Sequence, residues 1–138
     1  MLRKDYILRQ YEEFGKFLGI VFSLKTKAQF VELEELINTS AFKFTKIEIE
    51  TAEQLSNENL VETLTKKHQL EEPNLKMLAD LLYEKGIGYS KQFNEKKADS
   101  ALQKALIIYE YIKENSLESD FSLDGHFKIT SLKQLLNK

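Results

Sequence analysis

Two histidines, His68 and His126, are the residues of this chain best suited to acid–base or metal chemistry. His68 and Glu72 are four residues apart, a spacing that can place two metal ligands on one face of a helix. Pro73 nevertheless predicts that a helix begins here, because the first helical turn has no use for the missing N–H of proline. We therefore expect His68 in the incoming loop and Glu72 at the helix end, and we predict no metal site.

His126 follows Asp124 and Ser122 closely, so one short segment contains the three residue types of a hydrolase triad. A triad is built from groups that the fold brings together beside an oxyanion hole, and closeness in sequence does not predict one. We expect no catalytic residues and predict that the protein is not an enzyme. A deep pocket around either histidine would favour the enzyme alternative.

Two glycine-containing stretches match parts of nucleotide-binding loops. Gly86 and Gly88 form Gly-x-Gly, but Lys91 occupies the place of the third glycine of a dinucleotide fingerprint. Gly15-Lys16 lacks the upstream glycine and the following hydroxyl residue of a phosphate loop. The sequence therefore predicts no cofactor.

Composition narrows the classes of partner. The net charge is −2, and the lysine pairs Lys66-Lys67 and Lys96-Lys97 are too scattered to form a nucleic-acid-binding stripe. The chain contains no cysteine, which excludes disulfides, thiolate nucleophiles and Cys-based zinc sites. The opening residues do not follow the pattern of a signal peptide, and we expect a cytoplasmic protein.

An amphipathic helix is predicted from Asp5 to Leu24, because large apolar residues recur there at steps of three and four. The stripe consists of Ile7, Tyr11, Phe14, Leu18 and Val21, widened by Tyr6, Phe17 and Phe22. The uncharged part, 17–24, is far shorter than the about 20 residues that span a bilayer, so no transmembrane segment is expected. Such a stripe packs on protein, either within the chain or against a second copy.

The rest of the chain also favours helices. Capping and turn residues predict helix starts near Thr26, Ser56, Pro73, Asn94 and Ser122. The polar run Asn38-Thr39-Ser40 is predicted to end the second helix. Residues 41–55, where apolar side chains alternate in two short stretches, are predicted to form an irregular connection. We expect either a loop or an added helical turn, with the apolar side chains in the core.

Residues 79–112 resemble a tetratricopeptide-type helix hairpin, whose pattern is Trp-x2-Leu-Gly-x2-Tyr followed by Ala-x3-Phe and Pro. The corresponding positions carry Leu82, Gly86, Tyr89, Ala98 and Leu102. Small residues such as Gly86 and Ala98 would let two antiparallel helices approach closely. Lys85 replaces the Leu of the pattern and Glu110 replaces its Pro, so the chain contains one degenerate copy.

Three stretches, DYILRQYEEFGKFLG, SNENLVETL and the hairpin of residues 79–112, cover much of the chain. Together they resemble a family of small, helical bacterial proteins of unknown function that open with Asp-Tyr-Ile. The resemblance implies an all-helical fold and a bacterial intracellular setting. It carries over no functional residues.

We predict one all-α domain, residues 1–138, built as a helical bundle or array with a tetratricopeptide-like hairpin. Its parts are an N-terminal helical pair at 1–40, the irregular connection at 41–55 and repeat-like helices at 56–138. Stacked helix pairs present a concave face, so the predicted function is a non-catalytic module that binds a protein or peptide. The alternative is a homodimeric assembly protein whose N-terminal aromatic helix forms the interface. The candidate interaction residues are Tyr11, Phe14, Phe17, Tyr83, Tyr89, Tyr109 and Tyr111.

Overall fold

The computed structural model describes residues 2–115 and 123–137, and this part of the chain contains seven α-helices. They are α1 (Leu2–Thr26), α2 (Phe30–Thr45), α3 (Ile49–Glu53), α4 (Leu60–Glu62), α5 (Glu72–Lys91), α6 (Glu95–Asn115) and α7 (Leu123–Leu136). A 3-10 turn at Asn57–Asn59 precedes α4, and a π-helical turn at Thr63–Lys67 follows it. No strand occurs in the described ranges, and the predicted all-α class is confirmed.

Helix α5 is the centre of the fold, because side chains all round it are buried. It packs along α6 and α2 and also contacts α1, while α7 packs on α6. A three-residue turn joins α5 to α6, and the two helices run antiparallel. The buried apolar side chains of α5 are Leu75, Met77, Leu78, Ala79, Leu81, Leu82 and Tyr89.

The hairpin of α5 and α6 is tightly packed at the small residues where the two helices were predicted to approach closely. A Cβ added to Gly86 would lie 2.6 Å from Leu102 Cδ2 and 3.4 Å from the backbone oxygen of Ala98. The predicted close approach is confirmed. Asn94 caps α6 as predicted, since its Oδ1 accepts a hydrogen bond of 3.3 Å from the backbone N–H of Lys97.

Helix α1 packs its inner face on α2. Phe14 and Phe17 are 4% and 8% exposed, and their ring centroids lie 5.1 and 5.3 Å from that of Phe44 on α2. Val21 continues the same buried face. The helix is longer at both ends than the predicted span from Asp5 to Leu24.

Helix α2 differs from its prediction at both ends. Thr26 belongs to α1, and the N-cap of α2 is Gln29, which follows a reversal at Ala28 with a φ of 56°. The run Asn38-Thr39-Ser40 does not end the helix, which continues to Thr45. Burial of Ala41 and Phe44 on the same face as Leu33 and Ile37 outweighs the poor helix propensity of the polar run.

The predicted irregular connection at 41–55 is largely helical, in line with the added helical turn that was one of the two expectations for this segment. Its first part ends α2, and its second part contains α3. Three of the four alternating apolar residues enter the core, since Phe44, Ile47 and Ile49 are 3% exposed or less, whereas Phe42 is 55% exposed.

The start of α5 is tied to the end of α2. Pro73 lies in the first turn, as predicted. Asn74 Oδ1 accepts from the backbone N–H of Glu71 at 3.1 Å, and Asn74 Nδ2 donates to the backbone oxygen of Phe44 at 3.1 Å. Ser56 also caps as predicted, accepting from the N–H of Glu58 at 3.3 Å.

A buried polar cluster around Asp80 attaches α7 to α5 and α6. The Asp80 carboxylate accepts hydrogen bonds from the Tyr109 hydroxyl, from Lys76 Nζ at 2.9 Å and from Lys128 Nζ at 3.1 Å. Burial raises the pKa of Tyr109 well above its ordinary value, and the carboxylate of Asp80 raises it further. The predicted start of the last helix, Ser122, lies outside the described residues.

Candidate functional site

A polar cleft of about 290 Å³ opens between α2, α3, α5 and α6, and we call it the Glu53 cleft. Its volume is at the lower end of the range for ligand pockets, so it suits a group of side-chain size rather than a whole cofactor. The cleft is lined by Glu34, Asn38, Glu50, Glu53, Gln54, Lys85, Tyr89, Lys97 and Ser100.

The short helix α3 directs two carboxylates to the cleft. Ile49 and Ala52 are fully buried, and they fix one face of α3 against the core. Glu50 and Glu53 each follow one of these residues by a single position, which places both carboxylates at the cleft. The position of the acidic groups is therefore a consequence of apolar packing.

Lys85 is a buried cation at the base of the cleft. It lies on the core-facing side of α5 with 1% of its side chain exposed, and its Nζ forms an ion pair of 2.5 Å with Glu53 Oε1. A buried charge without a partner would be strongly destabilising, so Lys85 and Glu53 must be considered as a unit.

Tyr89 completes this unit, because its hydroxyl donates a hydrogen bond of 2.9 Å to Glu53 Oε2. Burial raises the pKa of Tyr89 well above its ordinary value, and the neighbouring Glu53 carboxylate raises it further. At neutral pH the hydroxyl is therefore protonated and serves as a donor, and it cannot act as a base. Both oxygens of Glu53 are occupied by Lys85 and Tyr89.

Asn38 contributes an unused acceptor. Its Oδ1 is buried and has no hydrogen-bond partner among the described residues. Glu34, one turn earlier on α2, accepts a hydrogen bond of 3.3 Å from Gln92 Nε2. An unpaired buried carbonyl oxygen lowers stability, and rotation of the Asn38 side chain toward a donor in the cleft would remove that cost.

The mouth of the cleft has an excess of negative charge. Lys97 lies there with its Nζ 5.6 Å from the centroid of the Tyr89 ring, and Glu50 is an exposed residue of the same lining. The lining has three carboxylates and two ammonium groups, a net charge of −1. Because Lys85 is already paired with Glu53, an incoming group would meet the two carboxylates of Glu34 and Glu50 and the single ammonium of Lys97.

Only Tyr89 of the predicted interaction residues lines the cleft. Phe14, Phe17 and Tyr109 are buried in the core and do not line the cleft, so their role in an interaction surface stays a prediction. Their aromatic rings fill space between helices of the same chain, which the periodicity alone could not distinguish from an exposed stripe. Of the remaining candidates, Tyr11 is 42% exposed on α1, while Tyr83 and Tyr111 are half-buried away from the cleft.

Sequence reasoning missed most of the residues that form the cleft. One signal was present at Lys85, a charged residue between Leu82 and Tyr89 on the core-facing side of α5. A lysine at such a position requires a buried carboxylate nearby. Nothing in the sequence identifies Glu53 as that partner, because it is 32 residues away.

Neither histidine lies in the cleft lining. His68 is half-buried after the π-helical turn, and His126 lines a separate open depression on α7. Within residues 2–115 and 123–137, no group of three or more His, Asp or Glu side chains is arranged to hold a metal ion. The described helices also include none whose length and apolar character would suffice to span a bilayer.

Comparison of the chain with protein-family models, with curated proteins and with solved structures finds no match. Membership of a bacterial family and the tetratricopeptide character of the α5–α6 hairpin therefore stay predictions. The Glu53 cleft is the feature from which a function can be inferred.

Proposed function

We propose that this protein is a non-catalytic interaction module whose Glu53 cleft binds a basic side chain, Lys or Arg, of a partner protein. The observation that carries the proposal is the buried, unpaired Oδ1 of Asn38 in a cleft that Glu34 and Glu50 make acidic. An ammonium or guanidinium group offers several donors and a positive charge, and it has no acceptor. It therefore complements both features at once.

The arrangement of the carboxylates favours a ligand with a charged hydrogen-bond donor over one with a neutral donor. Glu53 is held by Lys85 and Tyr89, so its carboxylate is fixed in position. Glu34 and Glu50 approach the cleft from two different helices, and a guanidinium can address two acceptors in different directions. A hydrogen bond from a charged donor contributes roughly twice as much as one between neutral groups.

The size of the cleft and the resemblance of the hairpin support a protein partner. A cavity of about 290 Å³ accepts one side chain and leaves the rest of the ligand outside. The resemblance of α5 and α6 to a tetratricopeptide unit favours the same mode, since such hairpins bind extended segments. The non-catalytic part of the proposal is supported by Tyr89, which is held protonated as a donor.

The test is a titration of the isotopically labelled protein with three capped tripeptides, Gly-Arg-Gly, Gly-citrulline-Gly and Gly-Glu-Gly, followed by amide chemical shifts. Citrulline keeps the shape of arginine and lacks its charge. We expect saturable shifts with the arginine peptide, centred on Glu34, Asn38 and Glu50, and at least tenfold weaker binding of the other two. Equal shifts with citrulline, or shifts that avoid the cleft, would overturn the proposal.

A matched pair of variants tests the role of charge. Glu50→Gln should weaken binding of the arginine peptide by about fivefold, because an exposed ion pair contributes up to about 1 kcal/mol. Glu48→Gln removes the same charge from an exposed residue outside the cleft lining and should leave binding unchanged. An equal effect of both variants would mean that the peptide responds only to overall charge.

A further inference from the structure

A second apolar face of α1 is left uncovered by the fold, and we call it the outer stripe. Its residues are Leu8, Tyr11, Gly15, Gly19 and Phe22, which follow one another at steps of three and four along one side of the helix. Leu8, Tyr11 and Phe22 are 52%, 42% and 61% exposed. Large apolar patches that stay exposed on a protein surface mark interaction sites.

The outer stripe is distinct from the face that holds α1 in the fold. Phe14, Phe17 and Val21 face α2 and are buried, and at about 100° per residue their centre lies roughly 130° around the helix from the outer stripe. A Cβ built on Gly15 or on Gly19 meets no atom within 4 Å. The glycines therefore have no packing role within the chain and leave a shallow groove along α1.

We infer that the outer stripe binds the outer stripe of a second copy of this chain, with the two α1 helices antiparallel and Gly15 at the twofold axis. In this register Leu8 faces Phe22 of the second copy, and Tyr11 faces Gly19. Each large side chain then meets a partner that fits it, since the Tyr11 ring enters the groove at Gly19. The missing side chains at Gly15 let the two backbones approach closely.

Charge complementarity selects the antiparallel direction. Glu12 and Lys16 are exposed and border the outer stripe on one flank. In an antiparallel pair this flank lies beside the same flank of the second copy, so Glu12 of each chain meets Lys16 of the other. In a parallel pair the flank with Glu12 and Lys16 would lie beside the opposite border of the outer stripe, which is formed by Tyr11 and Leu18. Neither Glu12 nor Lys16 would then gain a counter-charge. Opposed helix dipoles also favour the antiparallel pair.

The chain contains no cysteine, so single introduced cysteines report the register directly. Gly15→Cys should form an intermolecular disulfide under mild oxidation, because residues at the axis approach within the about 7 Å between Cα atoms that a disulfide allows. Leu8→Cys alone should not cross-link, whereas a mixture of Leu8→Cys with Phe22→Cys should. Self-linking of Leu8→Cys as fast as Gly15→Cys, or no linking in any sample, would overturn the inference.

Light scattering of the cysteine-free protein gives a second readout. The unmodified chain should be a dimer, and Gly15→Glu should be a monomer with unchanged helical circular dichroism, since the added side chain meets nothing within its own chain. Ile20→Glu is the matched control, because Ile20 is 55% exposed on another side of α1. A dimer in Gly15→Glu, or a monomer in Ile20→Glu, would contradict the outer stripe as the interface. Neither result depends on the Glu53 cleft.

Discussion

Gly86 of α5 lies directly against Leu102 of α6, so closely that an added Cβ would be 2.6 Å from Leu102 Cδ2 and 2.7 Å from its Cγ. Leu102 is itself 2% exposed and has little room to move. We expect Gly86→Ala to lower the free energy of unfolding by about 1–2 kcal/mol, because the overpacking outweighs the gain in helix propensity. Urea denaturation followed by circular dichroism measures this change.

Gly88 provides the control for that prediction. A Cβ there would lie 3.5 Å from Leu33 Cδ2, which is an ordinary contact. Gly88→Ala should therefore leave stability unchanged or raise it by up to about 1 kcal/mol, through helix propensity alone. If both alanine variants behaved alike, close packing at Gly86 would not be what holds α5 against α6.

The buried ion pair predicts a coupled loss of stability. Lys85→Met keeps the apolar stem but removes the ammonium from Glu53, and it should lower the free energy of unfolding by about 2 kcal/mol. Glu53→Gln should cost much less in the Lys85→Met background than in the unmodified protein. A double-mutant cycle from denaturation curves measures the coupling, for which we expect about 1–2 kcal/mol. Strictly additive effects would show that the two residues act independently.

Asn38→Leu should separate stability from binding. The substitution removes a buried acceptor that has no partner and improves helix propensity within α2, so the free energy of unfolding should stay equal or rise by about 0.5–1 kcal/mol. The same variant should lose binding of the capped Gly-Arg-Gly peptide, because the acceptor is gone. Thermal unfolding and the amide titration measure the two effects, and a clear loss of stability would argue that Asn38 has a structural partner.

Stability should fall above about pH 10. The pKa of Tyr109 is raised, first by burial and then by the Asp80 carboxylate, so the folded state keeps its proton after the unfolded chain begins to lose it. Lys128 acts in the same direction: burial lowers its pKa, but the carboxylates of Asp80 and Asp124 outweigh burial and raise it. Each such group lowers the free energy of unfolding by about 1.4 kcal/mol per pH unit. This decrease begins near the pKa that the group has in the unfolded chain.

The variant Tyr109→Phe tests whether Tyr109 causes this loss of stability at alkaline pH. The variant should be less stable at pH 7, because Asp80 loses a donor, but its stability should fall less steeply between pH 10 and 11. Denaturation midpoints across pH 7–11 measure both effects, with Tyr6→Phe as an exposed control. An unchanged slope in Tyr109→Phe would assign the alkaline loss to other groups.

Much of the helical framework could be predicted from the sequence, because it depends on local signals. Pro73, Asn94 and Ser56 mark helix starts through hydrogen bonds or backbone constraints that involve near neighbours in the chain. The extent of α2 could not be predicted in this way. Its polar run Asn38-Thr39-Ser40 is a poor helix former, and the helix continues because Phe44 is packed against α1.

Most residues of the candidate site could not be predicted from the sequence. Glu53 and Lys85 are far apart in the chain, and Glu53 belongs to a pattern that also occurs on a solvated helix surface. Large aromatic residues were predicted to form an interaction surface, but Phe14, Phe17 and Tyr109 fill the core. The polar residues that form the Glu53 cleft carry no periodic signal, since their role depends on which helices meet.

The sequence by itself determined that this chain is helical, where several of its helices begin, and that Gly86 would allow two helices to approach closely. These features depend on propensity, capping and periodicity, which act within a few residues. Only the tertiary structure decided which apolar face of α1 is buried, that Lys85 pairs with Glu53, and that Asn38 is left with an unused acceptor. Those outcomes depend on distances between helices, and side-chain periodicity along one helix does not specify which other helix it will meet.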